Sequence, residues 1–294
     1  MFRKFKGIIT ALVTPLRENG QVDIDQFVRL INIQIKAGIG GLLILGGTGE
    51  YTALSTEVRK KVAEIAVNEV NGRIPVIIGN LEPGIGESIK FCRHIKEVGA
   101  DAALVLTPFY VHPSQQGIID FYQKIATEVD MPIMIYDIPY RTSVSVEPET
   151  YEKLAAVKNI VGLKDCSTSL GQAIELIDKV GDKIAVLNGE DYIAVYSFIM
   201  GSPGAIVASS NLIPKEWVKI YNLTQEKKYD EAVNLHKKYY YLMKGIFTEV
   251  NPGPLKYAMN RCGLFCGKPS IPLLEPTSET KELIDNLLAK YNLL

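Results

Sequence analysis

The sequence predicts an α/β chain folded as a (β/α)8 barrel. Apolar, β-branched runs recur eight times, their starts roughly 20 to 35 residues apart, the size of one strand-plus-helix unit. Amphipathic segments with helix-capping residues lie between them. The rival reading is a doubly wound open sheet. Against it, no Gly-x-Gly-x-x-Gly turn follows the first run, and the first Gly-rich turn, LGGTGE from Leu45, comes after the second with different spacing.

The eight runs are GIITALVTP from Gly7, GGLLILGG from Gly40, IPVIIGN from Ile74, ADAALVLTP from Ala100, MPIMIYDIP from Met131, NIVGLKD from Asn159, KIAVLNG from Lys183 and GAIVASS from Gly204. Strands so evenly apolar suit a parallel sheet covered on its faces. After the first run, DIDQFVRLINIQIKAGIG opens on cap-type Asp residues. It places Phe27, Leu30, Ile31 and Ile35 on one face and ends at Gly38. The next helix starts at Ser55, carries Val58, Val62, Ile65 and Ala66 on one stripe, and closes at Gly72. SIKFCRHIKEVGAD and the stretch 117–129 behave alike.

Beyond residue 214 more helix follows than one barrel unit requires. EWVKIYNLTQEKKYDEAVNLHKKYYYLMKGIF reads as one long helix or two, and PLKYAMNRCGL and SETKELIDNLLAKYNLL as further ones. The expected organisation is a barrel over 1–214 and a helical extension over 215–294.

Composition narrows the function classes. The 294 residues are 47% hydrophobic and 22% charged, and Lys+Arg 32 against Asp+Glu 33 leaves a net charge of -1. Nucleic-acid and anionic-membrane binders usually carry a basic excess, so neither partner is expected. No apolar stretch approaches the roughly 20 residues of a membrane helix. The start is basic and then apolar, but Pro15 interrupts it and a helix-like segment follows, so it is read as the first strand of a cytoplasmic protein. The Cys pair in RCGLFCG lacks a second pair or a nearby His, and the three His are scattered; structural thiols and no metal or other cofactor are expected.

In a barrel, function gathers where the strands end at the C-terminal face. Alternation along run six puts Ile160, Gly162 and Lys164 on one face. Lys164 then points into the barrel mouth, with Gly162 below it leaving room. Run five in the same phase turns Met134 and Tyr136 inward, so Tyr136 and Lys164 should stand side by side. A lysine in an apolar mouth should have its charged form disfavoured and its pKa lowered. The neutral amine can attack a carbonyl carbon and form a Schiff base, and a nearby phenol can move the protons. The plainer reading pairs Lys164 with Asp165 or Asp137, or lets it snorkel to solvent.

Two other strand ends carry weight. Successive glycines in GGTGE let N–H groups converge on an anion. With the Thr48 hydroxyl they would suit the carboxylate of a 2-oxo acid; the plainer reading is a tight turn with Glu50 satisfying local N–H groups. Arg141, in YDIPYRT, is a candidate bidentate clamp for a second carboxylate, or a surface ion pair. TPFY offers Thr107 and Tyr110.

GGTGE, TPFY, YDIPYRT, GLKD, NGED at Asn188 and NPGPLK at Asn251 follow one another in the order and spacing of a known family. Through them the chain resembles the dihydrodipicolinate synthase and N-acetylneuraminate lyase family over nearly its whole length. The resemblance implies a barrel with a helical C-terminal extension, assembled as a homotetramer. It implies pyruvate, or the pyruvyl end of a 2-oxo acid, bound as a Schiff base on Lys164, and proton relay by Tyr136. Thr48 and the N–H groups of Gly47 and Thr48 would hold the carboxylate. In the synthases the residue matching Arg141 binds aspartate semialdehyde, that matching Tyr110 reaches a neighbouring subunit's site, and those matching Gly189 and Ile206 line the pocket.

Departures bear on the reaction. Gly47 stands where synthases carry a relay threonine. Asp165 stands where they commonly have Glu, and is frequent among relatives that cleave 2-keto-3-deoxy sugar acids. YDIPYRT keeps the Arg-Thr of synthases. Pro83 and Phe109 alter the positions of the synthases' lysine-inhibitor pocket, so feedback inhibition by lysine is not expected. A 4-hydroxy-tetrahydrodipicolinate synthase-like condensation leads. An aldolase or dehydratase of a 2-keto-3-deoxy sugar acid is the alternative, and a non-catalytic 2-oxo-acid sensor a third.

Overall fold

The structure is a computed structural model that describes residues 4–294; Met1–Arg3, the first residues of the basic start, lie outside it. Eight parallel strands close a barrel in sequence order. They are β1 (Gly7–Ala11), β2 (Gly41–Ile44), β3 (Val76–Asn80), β4 (Ala102–Leu106), β5 (Ile133–Asp137), β6 (Ile160–Asp165), β7 (Ala185–Asn188) and β8 (Gly204–Val207), one from each predicted run. Every strand residue is buried, because side chains fill the barrel on one face and meet the helices on the other.

Helices alternate with the strands: α1 (Ile24–Ala37), α2 (Thr56–Val70), α3 (Ile85–Glu97), α4 (Gln115–Val129), the short α5 (Pro139–Thr142), α6 (Pro148–Ala155), α7 (Leu170–Val180) and α8 (Ala194–Ile199). The cap residues behave as local chemistry requires. Asp23 and Ser55 accept the N–H groups of Gln26 and Val58, satisfying orphan donors of the first turn. Gly38 closes α1 at φ 85, and Asn71, one residue before the expected Gly72, closes α2 in the left-handed region.

Two helix faces differ from expectation. In α1 Gln34 is buried along with Phe27, Leu30 and Ile31, and Ile35 is only half-buried. Gln34 accepts from Thr10 Oγ1 at 2.8 Å and donates to the Ser210 carbonyl at 3.0 Å, so an amide replaces an apolar side chain where β1 and the β8 turn need partners. In α2 Ala63 and Val70 join the buried stripe, and Ile65 stays half-buried.

The helical stretch after β8 divides into α9 (Pro214–Gln225) and α10 (Tyr229–Gly245). Lys227, at φ 60, breaks the run between them. α9 packs on β1, α1 and α8, and Trp217 is fully buried. The chain continues through α11 (Gly253–Arg261) and α12 (Ser278–Lys290), which pack on one another, and α12 packs also on α10. No helix among the described residues is long and apolar enough to cross a membrane.

Candidate active site

Register decides the centre of the site. β5 and β6 pair with Tyr136 opposite Lys164 and Met134 opposite Gly162. Aligned residues of a parallel pair share a face, so lysine and tyrosine enter the mouth at one level. Gly162 makes room, though for a neighbour: a Cβ there would come within 2.6 Å of Met134 Cε. Lys164 is 7% and Tyr136 4% exposed, and Nζ lies 4.6 Å from the centre of the Tyr136 ring. Lys164 therefore does not snorkel.

Asp165 and Asp137 alternate to the outer face. Asp165 accepts from the Ser167 N–H at 2.9 Å and hydroxyl at 3.1 Å. Asp137 Oδ2 accepts from the Tyr151 hydroxyl at 2.9 Å and the Val146 N–H at 3.2 Å. Neither aspartate is the partner of the lysine.

The protonation expected of Lys164 is overturned in direction. Burial pulls the amine's pKa down, but Tyr136, Cys166 and Glu190 outweigh it and hold the amine above its ordinary value. Burial also raises the Tyr136 phenol, against the pull of Lys164, and the Cys166 thiol.

The GGTGE turn forms the opposite wall of a cavity lined by Gly47, Thr48, Tyr136, Arg141, Lys164, Gly189 and Ile206 among others. Among the described residues no acceptor takes the N–H groups of Gly47 and Thr48, leaving two donors at the cavity wall. Glu50, at φ 61, does not satisfy local N–H groups. Its carboxylate forms a fully buried ion pair with Lys256 of α11 and accepts the Ser270 N–H at 2.6 Å. Gly47 has an ordinary φ, and its missing side chain serves space: a Cβ would sit 3.3 Å from Arg141 Nη1. The guanidinium lies against the turn.

Of the residues singled out from sequence, Lys164, Tyr136, Gly47, Thr48, Arg141, Gly189 and Ile206 come together. Tyr110 does not. It is 88% exposed, at φ 72, and is not among the residues lining the cavity. Thr107 also turns away, donating to the Tyr136 carbonyl at 2.8 Å.

The sequence reading missed Asn251 as a site residue. Its Nδ2 donates to Thr48 Oγ1 at 3.0 Å, and its buried Oδ1 has no partner among the described residues. The signal was present in NPGPLK, a polar residue held ahead of two prolines. Asp191 lines the cavity, yet its carboxylate is spent on the Ser209 and Ala208 N–H groups at 2.7 and 3.2 Å.

Asp137 offers a test of this burial pattern. Burial pushes its carboxyl up to about 7 from an ordinary 3.8. The folded chain therefore keeps a proton that the unfolded chain releases, and stability falls as pH rises from about 4 to 7. Asp137→Asn has no such loss. Its stability relative to wild type should improve between pH 4 and 8 by on the order of 3 kcal/mol in urea titrations. A difference that stays constant with pH would mean that Asp137 ionises normally in the fold.

Comparison with known proteins agrees with this architecture. The family described as the dihydrodipicolinate synthetase family matches residues 4–291. The 4-hydroxy-tetrahydrodipicolinate synthase of Methanocaldococcus jannaschii is 38% identical over 291 residues, 99% of this chain and 100% of the relative. Dihydrodipicolinate synthase from Aquifex aeolicus superposes with a TM-score of 0.95 at 36% identity, covering 98% of this chain and 99% of that one. The chloride-inhibited enzyme from Acinetobacter baumannii, solved in complex with pyruvate, gives 0.96 at 32% identity, with coverages of 98% and 99%. The chain belongs to the dihydrodipicolinate synthetase family.

Proposed function

We propose that this protein is a pyruvate-dependent, Schiff-base lyase of the 4-hydroxy-tetrahydrodipicolinate synthase type, condensing pyruvate with aspartate semialdehyde. The observation that carries the reading is the buried Lys164 amine facing the Tyr136 ring at 4.6 Å, opposite a turn with free N–H groups. The pyruvate carboxylate is held by the N–H groups of Gly47 and Thr48 and by the Thr48 hydroxyl, which Asn251 orients. That placement brings the ketone carbon to Lys164 Nζ.

Lys164 attacks as the neutral amine, so its ammonium must first lose a proton. After attack, Tyr136 passes one N–H proton to the former carbonyl oxygen. Loss of water leaves an iminium, whose charge withdraws electrons from the adjacent methyl and permits its deprotonation to an enamine. An imine nitrogen is less basic than the amine it comes from. Surroundings that hold the amine protonated therefore also favour the protonated imine, and the raised pKa of Lys164 serves the later steps at the expense of the first.

The enamine carbon then attacks the aldehyde, whose carboxylate is bound by Arg141, bidentately where geometry allows. Gly47 sets the depth of that guanidinium. Tyr110, too exposed to act within its own chain, completes the site of a neighbouring subunit in a homotetramer. The setting is cytoplasmic, and the chemistry uses no cofactor.

A coupled assay of pyruvate with aspartate semialdehyde should show turnover, and 2-keto-3-deoxy sugar acids should be cleaved slowly or not at all. Arg141→Leu should raise the KM for the semialdehyde about 10- to 100-fold, the loss of one charge-assisted pair, with a smaller effect on the KM for pyruvate. Efficient cleavage of a keto-deoxy acid with no semialdehyde turnover would transfer the assignment to the aldolases, and pyruvate binding without turnover of any aldehyde to a sensor.

A further inference from the structure

The ammonium of Lys164 needs a base, and the groups named so far do not supply one. Burial favours the acid forms of Tyr136 and Cys166, which makes them poor acceptors. Asp165 is turned to the outer face and bound by Ser167. Asp191 is bound by two backbone N–H groups. Asp137 has a free oxygen but stands on the outer face with Tyr151.

Glu190 remains. It follows β7 directly after Gly189, whose backbone presses on the lysine: a Cβ at 189 would sit 2.9 Å from Lys164 Cε. The bare backbone lets the loop pack against the lysine side chain, and Glu190 is the next residue along it, although it does not itself line the cavity. The Glu190 N–H donates to Asn188 Oδ1 at 2.9 Å, which fixes the turn. The residue is 8% exposed, and its Oε1 is buried without a partner among the described residues. A buried acceptor left unpaired is costly. Asp191, Lys164 and Asp165 act on it most strongly through their charges, a hydrogen bond from Tyr140 favours its carboxylate, and Glu190 acts in turn on Tyr192 and Cys166. Lys164 is the cation of that set.

We propose that Glu190 accepts the proton that the Lys164 ammonium must lose before its nitrogen attacks a ketone, and returns it when water departs. The inference rests on the Schiff-base reading above. The ammonium gives one proton to the Glu190 carboxylate, and the amine nitrogen bonds to the carbonyl carbon. A second nitrogen proton moves to the oxygen by way of Tyr136. The Glu190 carboxylic acid then protonates the hydroxyl, the C–O bond breaks, and water leaves with its bonding electrons. The nitrogen lone pair closes the C=N bond, leaving an iminium with one N–H and a regenerated carboxylate. Lys164 and Glu190 are not in ion-pair contact in the resting chain; a proton can pass through bridging water, and catalytic contacts tighten when substrate binds.

Burial pushes the Glu190 carboxyl up to about 7, so imine formation should slow below that pH as the base is lost. The test is the rate of borohydride-trappable imine formation on full-length protein mixed with pyruvate, measured from pH 5.5 to 9. Glu190→Gln should slow it about 10²- to 10⁴-fold and abolish the acid limb near pH 7, yet reach the same final adduct on Lys164. Glu190→Asp should recover part of the rate together with the limb, and Asp137→Asn should keep both. A Glu190→Gln variant with wild-type rate and an intact limb overturns the assignment. Absence of any adduct in the wild type instead overturns the Schiff-base reading, and this inference with it.

Discussion

Borohydride reduction in the presence of pyruvate is expected to fix one reduced pyruvyl group on the chain, and peptide mass spectrometry should locate it at Lys164. Lys164→Ala should gain none and lose at least ~10³-fold in kcat/KM, because the covalent intermediate disappears along with the amine. Stability should change far less, since Lys164 forms no ion pair among the described residues. The expectation depends on placement. The amine is buried, faces a phenol, and lies across the cavity from two free N–H groups that can anchor a carboxylate. Anchoring the substrate turns imine formation into a reaction between groups already held together. An adduct on another lysine, or full activity in Lys164→Ala, would remove the basis of the proposed chemistry.

The second large effect lies outside the cavity. Glu50 and Lys256 form a buried ion pair that ties the GGTGE turn to α11. Lys256 also donates to the Lys268 carbonyl at 3.1 Å, and Glu50 holds the Ser270 N–H. Lys256→Met would leave a carboxylate buried with one neutral donor. Breaking such a pair from one side costs about 3–5 kcal/mol, and thermal unfolding should fall by roughly 10 °C. The double variant Lys256→Met with Glu50→Gln should recover much of that loss, because the uncompensated charge is gone. The KM for pyruvate should rise in the single variant, since Asn251 precedes α11 and bonds Thr48 in the same turn. Equal losses in the single and double variants would show that packing, not charge, holds the junction.

Some of the site was legible before any coordinate. Strand periodicity is strict, so the phase of IVGLKD put Lys164 on the inner face and the phase of IMIYD put Tyr136 beside it; the observed register pairs them. The cluster at GGTGE was legible because glycines without a regular secondary structure mark a turn. The proton affinity of Lys164 was not, because it is a sum over Tyr136, Cys166 and Glu190, which lie on three different strands or loops. Gln34 was missed for a similar reason: an amide replaces an isoleucine on the buried face of α1 because of carbonyl and hydroxyl partners more than 20 positions away. Arg141 against Gly47 and Asn251 against Thr48 are likewise contacts between distant segments.

Local periodicity and cap chemistry thus determined the eight strands, their phase and the residues offered to the barrel mouth, since each depends on neighbours a few positions apart. Closure of the barrel decided the rest: which groups surround the amine, which arginine fills the space over Gly47, and which far segment anchors the turn. Those outcomes depend on distances and burial that arise only when remote strands meet, and no local pattern encodes them.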